Sequence, residues 1–218
     1  MDPLRRPDLA RPWAIVPLRG LESAKTRLGG ELDPEERLEL VIAMAELTLA
    51  ATRDASHVVG TVLVTADPAA GELAERFGAR PLVQRIAGLN GAIVEARAVA
   101  AAAGATAIVV LPIDLAAVTA AAIDEVIEAA DRAPLGRPVV LLVPDRHGSG
   151  TNALAIAPAA AIEPAFGPDS RAVHRAAAAA AGATYLELAG PLTLDVDTAD
   201  DLLVAQRISA EAGPPGSP

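Results

Sequence analysis

The sequence predicts an α/β fold, with a mostly parallel central sheet covered by helices on both faces, from three features. Short, nearly continuous runs of Val, Ile and Leu recur along the chain, the composition of strands buried on both sides. Segments with apolar residues at helical spacing alternate with those runs. Polar punctuation follows the runs, where the loops at the carboxyl ends of parallel strands bind ligands.

Taken in order, residues 1–11 read as a loose arm, and residues 13–17 as a buried strand ended by Pro17. A basic loop runs from Leu18 to about Asp33. Pro34 then opens a long helix with Asp33 as its N-cap and Leu38, Val41, Ile42, Ala45 and Leu49 along one face. Residues 61–65 form a second strand, stopped by Ala66-Asp67-Pro68. A helix over 70–77 leads to a short strand at 81–83, and another helix runs from Leu89 to Gly104. Residues 107–111 are fully apolar and end at Pro112-Ile113-Asp114. A helix over 119–132 precedes a strand at 139–143. Beyond it the pattern predicts a strand at 153–157, a helix at 170–181, strands at 184–188 and 192–196, and a final helix over 199–210. The tail 211–218 reads as disordered. No repeat or linker divides the chain, so residues 12–210 are expected to be one domain.

Composition removes several classes of function. The net charge of −10 argues against a nucleic-acid-binding surface, which needs clustered Lys and Arg. With no cysteine, disulfides and thiolate metal sites are excluded. No apolar run is long enough to span a membrane, and no signal peptide precedes residue 12, so a cytoplasmic location is expected. Among the 18 basic residues only Lys25 is a lysine.

The residues able to carry chemistry fall in the predicted loops. In an extended backbone Asp195 and Asp197 point the same way, and paired carboxylates repel unless a cation lies between them. Mg2+ suits such oxygen donors; solvated acids at a strand end entering a helix fit the spacing as well. Asp114 follows the central apolar strand, where it serves as a helix-entry cap or as a third carboxylate. The loop holding Arg19, Lys25 and Arg27 is not a P-loop, because Ala24 and Arg19 occupy the positions that need glycine. Its three cations in an acidic chain point to an anion site, although a solvated loop accounts for them as well. Residues 145–152 form a polar, glycine-rich loop able to turn backbone N–H groups toward an anion, although a plain hairpin connection accounts for it equally. Asp169 or Ser170 can cap the helix that follows, whose N-terminus favours carboxylate or phosphate. His174 lies one turn on and shares a face with Ser170; a lone histidine there reads as structural. With no His-acid-Ser arrangement and no dinucleotide fingerprint, the inventory points to phosphate transfer.

The segments Pro17-Leu18-Arg19-Gly20-Leu21, Ala24-Lys25-Thr26-Arg27-Leu28, Gly88-Leu89-Asn90, Asp114-Leu115, Gly148-Ser149-Gly150-Thr151-Asn152-Ala153-Leu154, Phe166-Gly167 with Ser170 and His174, and Leu194-Asp195-Val196-Asp197-Thr198 occur in that order. Together they resemble the CofC/FbiD family, the 2-phospho-L-lactate or phosphoenolpyruvate guanylyltransferases of deazaflavin coenzyme biosynthesis. The resemblance implies a Rossmann-like, GT-A-like nucleotidyltransferase fold in three layers. It implies transfer of GMP from GTP to the phosphate of a small three-carbon acid, with release of pyrophosphate. It also implies that Asp114, Asp195 and Asp197 hold Mg2+, with Asp114 and Lys25 catalytic. The backbones of Thr151 and Gly167, with Ser170, would bind the acceptor carboxylate. Pro17, Arg19, Lys25, Arg27 and Asn90 would meet the nucleotide. Three residues depart from the family pattern: Arg19 for lysine, Ala116 for proline, and Asp169 for a glycine beside the carboxylate site.

The implied nucleophile is a phosphate oxygen already mostly ionised near neutral pH, so no protein base is required. Metal and cations would supply charge stabilisation while the carboxylate site aligns the attack. GTP and the phospho-acid are the expected partners, with a homodimer left open. The competing readings are a nucleotidyltransferase for another acceptor, such as 3-phosphoglycerate or a sugar phosphate, and a nucleotide-binding module without turnover.

Overall fold

The computed structural model describes residues 9–18, 33–134 and 136–196. Arg19, Lys25, Arg27 and Asp197, together with the expected final helix and tail, lie outside the described residues.

The described strands are β1 (Pro12–Leu18), β2 (Gly60–Thr65), β3 (Arg80–Val83), β4 (Ala107–Val110), β5 (Val139–Pro144), β6 (Thr151–Ala157) and β7 (Thr184–Glu187). The helices are α1 (Pro34–Asp54), α2 (Gly71–Arg76), α3 (Leu89–Ala102), α4 (Ala120–Asp131) and α5 (Ser170–Ala180). The strands form one sheet in the order β3-β2-β1-β4-β6-β5-β7. β6 enters antiparallel to both β4 and β5, and the other pairings are parallel. The mostly parallel sheet expected from the apolar runs is therefore present, with one reversed strand.

The local chemistry of the sequence explains most element boundaries. Asp33 accepts from the backbone N–H groups of Glu35 and Glu36, and Glu36 reaches back to the Asp33 N–H, a full capping box in front of Pro34. Thr119 caps α4 through Ala122 N–H at 3.1 Å. Each strand face then buries its own set. Ala14, Val109, Leu141 and Ala155 pack with Ile123, Val126 and Ile127 of α4, whereas Ile15, Val110, Leu142 and Leu154 pack with Ile93 and Ala96 of α3. The result is helix, sheet and helix in three layers.

Residues 192–196 do not form a strand. Pro191–Thr193 is a 3-10 turn, and only one antiparallel bridge follows, between Leu115 and Asp195. Pro191 fixes its own φ and supplies no N–H, and the Thr193 hydroxyl accepts from Gly190 N–H, so the chain curls before it can extend.

β6 carries a second irregularity that matters more. Val143 faces Ala153, but Pro144 faces Thr151, so one step on β5 spans two on β6. Asn152 is the extra residue of a β-bulge, which inverts the alternation of side chains from that point.

Candidate functional site

The sheet order reverses direction around β1 and β4, which places a crevice at their carboxyl ends. On the β1–β2 side lies a cleft of about 260 Å3 lined by Pro17, Leu18, Val64, Ala66, Gln84, Gly88, Leu89 and Ala92. Its walls are mainly apolar, and the N-terminus of α3 borders it. Gly88 precedes that helix at φ 87°, a backbone conformation that side chains resist. The family resemblance assigns Pro17 to the nucleotide. Val64, Ala66 and Gln84 were not expected here, although all three follow from lying at strand ends.

On the β4 side, Asp114 and Asp195 are brought together by backbone pairing. Val196 N–H donates to the Asp114 carbonyl at 2.8 Å, and Ala116 N–H donates to the Leu194 carbonyl at 3.0 Å. Asp195 Oδ1 is closed off from solvent. The segment carrying it is pinned from below by Asn152, whose side-chain amide donates to the Leu192 and Thr193 carbonyls at 3.0 Å each. The bridge sets Asp195 opposite Leu115 and Asp114 opposite Val196, so the two acids share neighbouring backbone; their carboxylates are hard oxygen donors, which fit Mg2+ in kind. Among the described residues no group of three such ligands is assembled; the third expected from the sequence, Asp197, lies outside them.

The third part of the site surrounds Thr151. The bulge at Asn152 turns Asn152 toward Leu192 and Thr151 toward α5. Ser170 Oγ lies 2.9 Å from Thr151 Oγ1, and His174 Nδ1 lies 3.1 Å from it. Ser170 and His174 are 1% and 0% exposed, so this is a built polar cluster and not a solvated edge. Burial lowers the His174 pKa to about 4, keeping the ring neutral at physiological pH. Phe166 meets the ring edge-on, with centroids 5.3 Å apart.

Gly167 adopts φ 140°, and a Cβ there would meet no atom within 4 Å. Glycine is thus required by conformation, at a position bordering open space. Asn90 brackets this loop. Its amide nitrogen donates to the Phe166 carbonyl at 2.9 Å, and its oxygen accepts from Phe166 N–H at 2.8 Å. Asn90 therefore links the start of α3, beside the cleft, to the Phe166-Gly167 turn. Asp169 occupies the N-cap position of α5 in the left-handed conformation at φ 53° and makes no side-chain cap; Ser170 is the first helical residue.

The glycine-rich loop is a hairpin between β5 and β6, held to α5. Asp145 accepts from Ser149 N–H, while Arg171 donates to the Gly148 carbonyl and, at 2.6 Å, to the Glu187 carboxylate. Hydrogen bonds from Arg171, with further ones from Tyr185 and Arg175, hold the Glu187 carboxyl down at about 2. That anchor was invisible in the sequence, because no local spacing joins residues 148, 171 and 187.

A solved structure of a nucleotidyl transferase from Methanothermobacter thermautotroptrophicus superposes with a TM-score of 0.64 at 18% identity, covering 93% of this chain and 99% of that one. The architecture is that of the nucleotidyltransferases. The family model described as "Guanylyl transferase CofC like" matches residues 13–205. A phosphoenolpyruvate guanylyltransferase from Sphaerobacter thermophilus is 40% identical over 190 residues, covering 87% of this chain and 89% of the relative. A second protein of that description, from Conexibacter woesei, is 38% identical over 205 residues, covering 91% and 88%. The chain belongs to the CofC-like guanylyl transferase family.

Proposed function

We propose that this protein transfers GMP from GTP to the phosphate of phosphoenolpyruvate, releasing pyrophosphate. The observation that supports the reading is the buried Thr151–Ser170 hydroxyl pair next to the Gly167 turn, which we read as a seat for the acceptor carboxylate. The names of the relatives support phosphoenolpyruvate as the acceptor. An acceptor phosphate oxygen attacks the α-phosphorus of GTP; the bond from that phosphorus to the β-bridging oxygen breaks, and its electrons leave with pyrophosphate. No protein base is required, because the attacking oxygen is already ionised.

The cleft lined by Pro17, Gln84 and Leu89 takes the nucleoside, and Arg19, Lys25 and Arg27 take the triphosphate. Asp114, Asp195 and Asp197 would hold Mg2+. Bound there, the ion would neutralise phosphate charge as it builds in the transition state. Thr151, Gly167 and Ser170 hold the acceptor carboxylate, and the Asn90 bracket keeps the Phe166-Gly167 turn beside the nucleotide. Orientation of two polyanions for in-line attack is the main task of these residues. The enzyme is cytoplasmic on this reading, and no described helix is long and apolar enough to cross a membrane.

The test is pyrophosphate release from GTP and Mg2+ with phosphoenolpyruvate, 2-phospho-L-lactate or 3-phosphoglycerate supplied singly. Release with phosphoenolpyruvate, abolished by Asp195→Asn, is expected. Release with another acid alone replaces the acceptor, and no release with any of them overturns the reading.

A further inference from the structure

His174 does more than fill space behind the acceptor seat. The Ala165 backbone N–H, which can only donate, lies 2.9 Å from His174 Nε2. Nε2 must therefore present its lone pair, and the single proton of the neutral ring resides on Nδ1. That proton points at Thr151 Oγ1, 3.1 Å away, which also meets Ser170 Oγ at 2.9 Å.

The proton count decides the outcome. The two hydroxyls own two protons, and the hydrogen bond between them uses one. With Nδ1 as a donor, the second is left for a ligand. With the proton on Nε2 instead, Nδ1 would accept from Thr151, Ser170 would donate to Thr151, and neither hydroxyl would have a proton to offer. An anionic oxygen seated there would then face lone pairs.

We propose that His174 is a positioning residue whose fixed tautomer leaves the Thr151–Ser170 pair with one outward hydroxyl proton, matched to the ionised carboxylate of the acceptor. The inference rests on the carboxylate reading of Thr151, Gly167 and Ser170. It extends that reading from the residues that touch the acceptor to the ring that sets their polarity.

Two variants separate the halves of the ring. His174→Asn keeps a donor near the δ position for Thr151 but loses the acceptor for Ala165. His174→Gln keeps an acceptor near the ε position and loses the donor. Without the Nδ1 donor nothing fixes the Thr151 hydroxyl with its proton outward, so His174→Gln should raise the acceptor KM a few-fold, towards the roughly tenfold that a whole hydrogen bond to a charged group, about 1.5 kcal/mol, would give. The KM for GTP should stay within about twofold, since the nucleotide cleft is separate from this ring. His174→Asn should restore most of the acceptor affinity even if its melting temperature is the lower of the two. Acceptor KM values that track melting temperature in both variants would overturn the proposal in favour of simple packing.

Thr151→Val, measured beside them, separates the two layers of the argument. A raised acceptor KM in Thr151→Val with none in His174→Gln rejects the role of the ring and leaves the carboxylate seat intact. An unchanged acceptor KM in Thr151→Val and Ser170→Ala rejects the seat itself, and the inference with it. Should the histidine variants fail to fold, nitrogen NMR of the unmodified protein reads the tautomer directly, His174 being the buried one of three histidines. Protonated Nδ1 is expected; protonated Nε2 would overturn the proposal.

Discussion

Lowering the pH should destabilise this protein through one ring. His174 is fully buried, and desolvation alone pulls its pKa from 6.5 to about 4. Its neighbours are the Thr151 hydroxyl, the Ala165 N–H and the Phe166 edge, none of which can receive a second ring proton. Because the folded pKa lies below the unfolded one, the unfolded chain takes up the proton first as pH falls. The contribution of the ring is therefore complete above about pH 6.5, declines as pH drops toward about 4, and levels off below that. The two pKa values differ by about 2.5, which at 1.36 kcal/mol per pKa unit sets a ceiling of roughly 3 kcal/mol. At pH 4.5 about 2.5 kcal/mol of that should already be lost, a large share of the 5–15 kcal/mol typical of a domain. Other groups titrate over the same range, so the measurement is a difference. Urea unfolding at about pH 7 and about pH 4.5 would be compared between the native protein and His174→Asn, which has no titrating ring. The native protein should lose about 2.5 kcal/mol more than the variant between the two conditions. Equal losses in both would mean that the ring accepts a proton in place, and that the packing around Nε2 is looser than the 2.9 Å contact with Ala165 implies.

Asn152→Ala removes both hydrogen bonds that hold the turn before Asp195, and should lower stability by about 2 kcal/mol in urea unfolding. It should also weaken Mn2+ binding several-fold when followed by spin resonance without substrates; unchanged Mn2+ affinity would dissociate the turn from the metal seat. Asp169→Gly removes an exposed carboxylate next to Ser170 and relieves a left-handed backbone. The acceptor KM should fall about twofold at low salt, and the gain should fade as salt is raised. A salt-independent change would assign the effect to the backbone instead.

The layers of the fold were legible because they rest on local rules. Asp33-Pro34-Glu35-Glu36 states a capping box in four residues, and the runs at 61–65, 107–111 and 139–143 have the composition of strands buried on both faces. The segment 192–196 misled because its apolar and β-branched residues fit a strand, while Pro191 and a single bridge partner decide otherwise. The residues alone left Asp114 as a cap or as a partner of Asp195, and only the resemblance chose between them, since the pairing depends on a bridge spanning some 80 positions. His174 read as structural because its partners, Thr151 and Ala165, are apart from it in sequence and joined only by the fold. Asn90 was placed near the nucleotide by its motif; no spacing could show that both ends of its amide engage Phe166.

The extra residue in β6 acts as a phase slip between hairpin and sheet. Downstream of it, side-chain alternation is locked by Ala153 to Ala157 against β4 and β5. Upstream of it, the side on which Thr151 emerges is set by its register opposite Pro144 and not by the length of the hairpin tip. Variation in the number of residues at the tip is therefore decoupled from the orientation of the acceptor seat. Deletion of Asn152 is a different matter: it would restore a regular ladder with Thr151 still opposite Pro144 on the His174 side, but it would take away the amide that holds the Leu192 and Thr193 carbonyls before Asp195. Indels separated by only a few positions thus have opposite consequences, with the tip tolerant and the strand mouth unforgiving.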